Sequence, residues 1–410
     1  MPETATQSVS ENSPSFANKL SQNILASLVR VSVVALVAVI LPAFLTHHLP
    51  VTTYAAWVLI IQLGAYVSYL DLGIQTGVSK FVAEFDARGD VAGAGRHASA
   101  GLALMFFAGL LGVLLTCGLA WQVPRLFRGM PSNLYHDVRV SVLLVGSSLS
   151  FGLVCAVYSA VFLGLQRYWI PVSITVINRV SYAATIVAVV ALRGSLESMG
   201  IAVATVNVST GLLQVLAWRQ RASHIRVSPR AADSRVLKNV TRFCLLQSVW
   251  MIAMLCIAGL DVTIVGHYDY VQTAYYSIAT LPVAFVLMIM SAMLNPLMPA
   301  SSALSTHRSP VEMGELVARV TRYSTLILLL TGLPLIVFGY PILRLWVGEQ
   351  YALHTLPYLR ILVAANIIRN LCAPYATVIV ATDRQAAAIA AAVSEAVVNL
   401  GSSIYLAGRF

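Results

Sequence analysis

Eleven apolar runs of about twenty residues or more, parted by short polar breaks, constrain this chain more than any other feature. A helix of that length crosses the hydrocarbon core of a bilayer, and in lipid every backbone polar group must find its partner inside the segment. The runs cover residues 20–46, 53–79, 96–121, 138–164, 168–192, 198–218, 240–266, 273–300, 317–340, 351–382 and 384–407. Several exceed the minimum, so tilt or extension beyond the bilayer is expected. The prolines Pro282, Pro296 and Pro299 are expected to bend the eighth span.

Composition excludes the alternative of several soluble domains. Charged residues make up 10% of the 410 positions, against roughly 25% in ordinary globular chains. Hydrophobic residues reach 58%, and so few charges cannot cover that much apolar surface in water. The net charge of +10 is no sign of nucleic acid, because the Lys and Arg residues sit mainly in loops between apolar runs. The five cysteines, Cys117, Cys155, Cys244, Cys256 and Cys372, show no paired spacing and read as small packing residues. Residues 1–15 are polar, carry Glu3 and Glu11, and have no basic stretch before an apolar core. They read as a short cytosolic tail and not as a signal peptide.

Loop charge sets the orientation. One set of loops holds Lys19, Lys80, Arg88, Arg96, Arg167, Arg219, Arg221, Arg226, Arg230, Arg235, Lys238, Arg242, Arg308, Arg319, Arg322 and Arg384, sixteen basic residues. The opposite set holds six: Arg125, Arg128, Arg139, Arg193, Arg344 and Arg409. The positive-inside rule therefore places the N-terminus and the basic 219–239 segment in the cytosol. That segment divides the chain into an N-terminal lobe, 1–218, with six spans, and a C-terminal lobe, 240–410, with five.

The lobes carry a weak internal repeat. His47-His48-Leu49-Pro50-Val51-Thr52-Thr53-Tyr54 follows the first span, and His267-Tyr268-Asp269-Tyr270-Val271-Gln272-Thr273-Ala274-Tyr275 follows the seventh. Thr52 pairs with Thr273 and Tyr54 with Tyr275, at an offset of 221. Gly164-Leu165-Gln166-Arg167 aligns with Ala381-Thr382-Asp383-Arg384 at an offset of 217, which sets Asn178 opposite Glu395 and Tyr182 opposite Asn399. The fold expected is an all-α polytopic membrane protein of two pseudo-symmetric bundles, six plus five helices, with a sixth helix of the second bundle apparently missing after Gly408.

The stretch from Leu49 to Asp90 carries a resemblance. It contains Leu49-Pro50-Val51-Thr52-Thr53-Tyr54-Ala55-Ala56-Trp57, Tyr69-Leu70-Asp71-Leu72-Gly73-Ile74, Lys80-Phe81-Val82-Ala83-Glu84-Phe85 and Ala87-Arg88-Gly89-Asp90. It resembles the polysaccharide transporter family, the O-antigen flippases and their relatives, of the multidrug/oligosaccharidyl-lipid/polysaccharide flippase superfamily. Members carry Asp-Leu-Gly in the second span and an Arg-Gly-Asp or Lys-Gly-Asp end to the following loop. The resemblance implies six plus six helices joined by a basic cytosolic linker. It implies a multi-pass protein of the bacterial cytoplasmic (inner) membrane that flips a lipid-diphosphate-linked oligosaccharide, an O-antigen or exopolysaccharide repeat unit. Its implied partners are the lipid-linked glycan, membrane lipids, a coupling proton or sodium ion, and glycan polymerase or export machinery. No cofactor is implied.

Charges at membrane depth cost about 3 kcal/mol or more on insertion scales, so each marks a candidate path. Within the runs lie Arg30, Asp71, Arg179, Asp261, Arg360, Arg369 and Glu395. Asn366, Arg369 and Asn370 fall at i, i+3 and i+4 on one helix face, and Glu395, Asn399 and Ser402 form a similar stripe on the next span. In the second span, Gln62, Tyr66, Tyr69, Gly73 and Lys80 share a face, and Asp71 lies on another with Ser68 and Gln75. Arginines offer planar, permanently charged donors to phosphate, and tyrosines and amides can hold sugars. Arg30, Tyr66, Tyr69, Arg179, Asn366, Arg369 and Asn370 are therefore substrate candidates, and Asp71 and Glu395 are ion-coupling candidates. Plainer roles compete with these: an Arg369–Glu395 structural ion pair, a fixed helix contact for Asp71, and headgroup snorkelling by Lys80 and Arg30. Asp261, about one turn from a helix end, is expected to be solvated.

Two other functions are weighed. A multidrug or cation extrusion antiporter of the same superfamily would favour carboxylates, and four intramembrane arginines against three acids lean toward an anionic substrate. A membrane glycan polymerase or ligase needs catalytic groups on a sizeable outer loop. The longest such loop, about 122–137, holds Arg125, Arg128, His136 and Asp137, with no nucleophile elbow or phosphate-cradling glycine loop. The sequence points to a transporter and not to an enzyme.

Overall fold

All eleven apolar runs form helices long and apolar enough to cross a membrane. The computed structural model describes residues 16–228, 234–294, 297, 301, 310–381 and 385–409, and among them there is no strand. Spans 1 to 6 are Phe16–His48, Val51–Ala87, Val91–Leu126, Tyr135–Gly164, Trp169–Ala191 and Leu196–Arg221. Span 7 is the helix Ser234–Met254, a π-helical turn Leu255–Gly259 and the helix Asp261–Tyr268. Spans 8 to 11 are Gln272–Leu294, Pro310–Val337, Glu349–Asn370 and Gln385–Ala407. Pro282 lies inside span 8; Pro296, Pro299, Arg230, Arg308 and Arg384 lie outside the described residues.

Besides span 7, three expected helices differ from a straight rod. Span 2 runs α-helical to Ala65, tightens to a 3₁₀ segment Tyr66–Asp71, breaks at Leu72 and Gly73, and restarts at Ile74. Both break residues take left-handed φ, 48° at Leu72 and 78° at Gly73. Glycine adopts that φ without steric cost and leucine does not, so the surrounding packing holds Leu72 there. The run 351–382 is not one helix, because it ends at Asn370 and a second helix, Ala373–Ala381, follows. Span 9 stops at Val337, and a separate amphipathic helix, Gly339–Val347, lies between it and span 10.

Spans 2, 3, 4 and 6 pack closely, and span 5 ties span 1 to them. Small residues permit this approach: a Cβ added to Gly200 would stand 2.7 Å from Ser141 Oγ. The C-terminal helices form looser groups. Span 8 packs on span 10, with span 9 and Gly339–Val347 beside them, and span 11 packs on span 7 through Ala253, Ile257, Ala392 and Ala396. The repeat at offset 221 coincides with the fold, since spans 2 and 8 start at Val51 and Gln272.

The 219–239 segment is mostly structured. Span 6 continues to Arg221, Ala222 and Ile225 are buried, and the Ser228 amide donates to Ser99 Oγ at 3.0 Å. Span 7 already begins at Ser234. We call the side of the molecule bearing this segment the linker face, and the side bearing His47 and His267 the far face.

Candidate functional site

The two bundles meet very differently at their two ends. On the far face, Tyr54, Trp57 and Leu59 of span 2 and Phe127 after span 3 share one buried core with Tyr275 and Ile278 of span 8 and Tyr351 of span 10. Tyr54 and Tyr275, the repeat-related pair, both meet Tyr351 edge-on, with ring centroids 5.9 and 5.5 Å away. Tyr270 Oη donates to the Thr52 carbonyl at 2.6 Å, and His267 Nδ1 donates to the Leu126 carbonyl at 2.6 Å. Burial pushes the Tyr270 phenol up from its ordinary pKa, so it stays a neutral donor. The Tyr351 hydroxyl is buried and has no hydrogen-bond partner among the described residues.

On the linker face, among the described residues, span 7 crosses between the bundles. Val240 and Cys244 enter the core of spans 2 to 6, Phe243 meets Phe81 at 5.9 Å, and Lys80 Nζ lies 4.5 Å from the Phe243 ring. Lys80 is exposed, and like Gly73 beside Gln247 it lies toward span 7, the side that Tyr66 also faces.

Between these ends lies a polar seam. Gln62 Nε2 donates to the Gly259 carbonyl at 2.6 Å, and the Tyr66 and Thr263 hydroxyls are hydrogen-bonded to each other. Tyr69 Oη would stand 2.9 Å from a Cβ at Gly259. The face expected to carry Gln62, Tyr66 and Tyr69 therefore forms, and it points at the π-helical turn of span 7. A π turn leaves backbone carbonyls out of their usual i→i−4 partnership, and the Gly259 carbonyl is taken up by Gln62. Asp261 belongs to the same seam. It is part-buried and accepts from Tyr276 Oη at 3.3 Å, so it is not the solvated carboxylate expected from its place near a helix end.

Asp71 Oδ1 accepts the Gln75 amide at 3.1 Å. It thus satisfies an orphan donor in the first turn of the second half of span 2, the work of a helix cap. The Asp-Leu-Gly run is the break and its cap.

Arg369 of span 10 and Glu395 of span 11 form an ion pair, their side chains 39% and 41% exposed. The two polar stripes do meet, and the pair bridges the groups formed by spans 8–10 and spans 7 and 11. Asn366 and Asn370 turn their amide N–H groups back on the carbonyls of Leu362 and Asn366, each at 2.9 Å. Asn399 Oδ1 is buried without a partner among the described residues. Arg30 and Arg179 are exposed, and neither is in an ion pair among the described residues. Arg360 Nε donates to the Ile336 carbonyl at 3.1 Å.

An apolar groove of about 850 Å³ runs along the bundle boundary. Val39 of span 1, Phe285 of span 8, Leu330 and Pro334 of span 9, and Leu345 and Trp346 of Gly339–Val347 line it. Trp346 Nε1 donates to the Val39 carbonyl at 2.8 Å and ties the short helix to span 1. Past Trp346, a second hollow continues the groove toward His47 and His48 at the far-face rim.

No protein-family model and no curated protein matches the sequence. Solved structures do match the fold. One is an inward-facing multidrug resistance MATE family transporter of the MOP superfamily, at 15% identity and TM-score 0.60 over 93% of this chain and 98% of that one. Another is a MOP superfamily transporter from Pyrococcus furiosus, at 15% identity and TM-score 0.58 over 94% and 85%. A third is the lipid II flippase MurJ in an inward closed conformation, at 12% identity and TM-score 0.70 over 95% and 85%. At these identities the likeness shows the fold alone.

Proposed function

We propose that the chain translocates a lipid-diphosphate-linked oligosaccharide across the bacterial cytoplasmic membrane by ion-coupled alternating access, as a relative of the polysaccharide transporters. The observation that carries this reading is the hydrocarbon-lined groove. It lies along the boundary of two bundles that are sealed at one end. A polyprenyl tail needs such a slot while its headgroup crosses between the bundles, and a water-soluble solute does not. Its similarity to a lipid II flippase in fold agrees with that use.

On this reading the linker face is cytosolic. The headgroup loads there, and the far-face seal opens to release it. Arg369 offers the bidentate guanidinium that suits a diphosphate, with Arg30 and Arg179 as further cations and Tyr66, Tyr69, Asn366 and Asn370 along the sugar's path. Glu395 neutralises Arg369 while the cavity is empty, and a proton on Glu395 frees the guanidinium for substrate. Asp71 is already committed as a cap, which leaves Glu395 the better coupling group.

A second reading, cation or drug extrusion, draws on Asp261, a part-buried carboxylate in the seam between the bundles. One experiment separates the two. The gene is expressed in a strain lacking its surface-glycan flippase and, in parallel, in a strain lacking its drug exporters. Restored surface glycan, lost on Arg369→Ala and Arg369→Glu, supports the flippase. Drug resistance without glycan, lost on Asp261→Asn, supports extrusion and overturns the flippase.

A further inference from the structure

We propose that the linker-face rim between spans 5 and 6 is a binding site for the headgroup of an anionic phospholipid, set by Arg167, Arg221 and Trp169. This inference is independent of what the protein transports.

Span 4 ends in a tight C-terminal motif. Gln166 takes a left-handed φ of 57°, and the Arg167 amide donates to the Phe162 carbonyl at 2.9 Å. That fixes the backbone of Arg167 at the foot of span 5. Its Nη1 then donates to the Arg221 carbonyl at 2.7 Å, in the last turn of span 6. The Arg221 guanidinium lies 4.6 Å from the Trp169 ring centre. Two guanidiniums are thus held at one rim, and among the described residues neither is in an ion pair.

Like charges brought together without an acid call for an anion. Of the five N–H donors of Arg167, one is used among the described residues, and the side chain is exposed, so donors remain open to a ligand. The surroundings specify the anion as a lipid. Trp169 is 44% exposed, as a membrane-interface tryptophan is. Val180, at i+11 from Trp169 and so on the same face of span 5, and Ile177 beside it are 51% and 52% exposed membrane-ward of that tryptophan. A guanidinium rim above exposed aliphatic side chains matches a phosphodiester above an acyl chain. Basic pockets between spans on the cytosolic side commonly hold such headgroups.

The test uses the purified full-length chain, stripped of lipid in detergent. Phosphatidylglycerol, phosphatidylcholine or inorganic pyrophosphate is added, and melting temperature and lipid retention by native mass spectrometry are read. Phosphatidylglycerol is expected to raise the melting temperature and to stay bound, and Arg167→Gln/Arg221→Gln to lose most of both effects. Equal action by phosphatidylcholine would overturn the site, as would full retention in the double variant. If pyrophosphate matches phosphatidylglycerol, the site reads free phosphate and the lipid assignment fails. Should the double variant not accumulate, Trp169→Leu keeps both charges and removes the stacking plane. Weakened retention there supports the site, and unchanged retention overturns it.

Discussion

The two ends of the bundle boundary are built from different materials. The far face is closed by a core of aromatic and aliphatic side chains drawn from spans 2, 8 and 10, with backbone carbonyls capped across the gap by Tyr270 and His267. The linker face, among the described residues, is joined through span 7, whose first turns belong to the other bundle's core. A seal made of many separate helices can part as a unit. A connection interrupted by a π turn can flex. On the proposed function, the far face is then the gate and the start of span 7 the hinge.

The strongest way to break that comparison is to wedge the gate. A Cβ on Gly266 would stand 2.9 Å from Thr273 Oγ1, 3.0 Å from Leu59 and 3.2 Å from Phe127. Overpacking costs about 1–3 kcal/mol, and each 1.4 kcal/mol is a factor of ten in population. Gly266→Leu is therefore expected to widen the distance between spin labels at Asn133→Cys and Leu353→Cys; an unchanged distance would show that these contacts do not hold the gate.

A smaller change should act in the opposite direction. Tyr351 closes the gate with an unpartnered hydroxyl, a burial that costs roughly 1–3 kcal/mol. Tyr351→Phe is expected to favour the closed far face and raise the melting temperature. A lower melting temperature would mean that the hydroxyl has a partner in the closed form.

The seam should respond more weakly. Tyr66→Phe removes one hydrogen bond, to Thr263, worth about 1 kcal/mol, and is expected to shift the same spin-label distribution modestly toward opening. The smallest effect belongs to Asp71. Asn caps a helix as well as Asp, whereas Ala costs about 1 kcal/mol. Asp71→Asn is expected to preserve stability and transport, and Asp71→Ala to lose some stability. Loss of transport in Asp71→Asn would return Asp71 to the coupling role.

Much of the scaffold was legible because membrane insertion is read from length and hydropathy. The same holds for the onset of spans 2 and 8, and for the Arg369–Glu395 contact, which i, i+3 and i+4 spacing sets on facing stripes. The breaks were not legible. Leu72 in left-handed φ follows no local rule, since tertiary packing imposes it. The π turn at Leu255–Gly259 lies in an unbroken apolar run with no proline to announce it. Helix Gly339–Val347 was hidden because nine residues are too short for a span, and Arg344 made the segment read as a loop. Asp261 was misplaced for a related reason: its partner Tyr276 comes from span 8, and no spacing within span 7 reports it.

The gate and the hinge can be locked separately in one transport measurement. Gly129 and Tyr270 face each other across the far face, with the Tyr270 Cβ 3.3 Å from where a Cβ of residue 129 would lie, close to disulfide spacing. At the linker face, Cys244 Sγ is 3.4 Å from where a Cβ of residue 77 would lie. In vesicles carrying a fluorescent polyprenyl-diphosphate oligosaccharide, Gly129→Cys/Tyr270→Cys, in a background lacking the native cysteines, is expected to stop translocation when oxidised and to recover on reduction. Gly77→Cys, paired with the native Cys244 and with the other four cysteines replaced, is expected to keep transporting while oxidised. Transport through the locked far face, or arrest by the linker-face lock alone, would contradict the account.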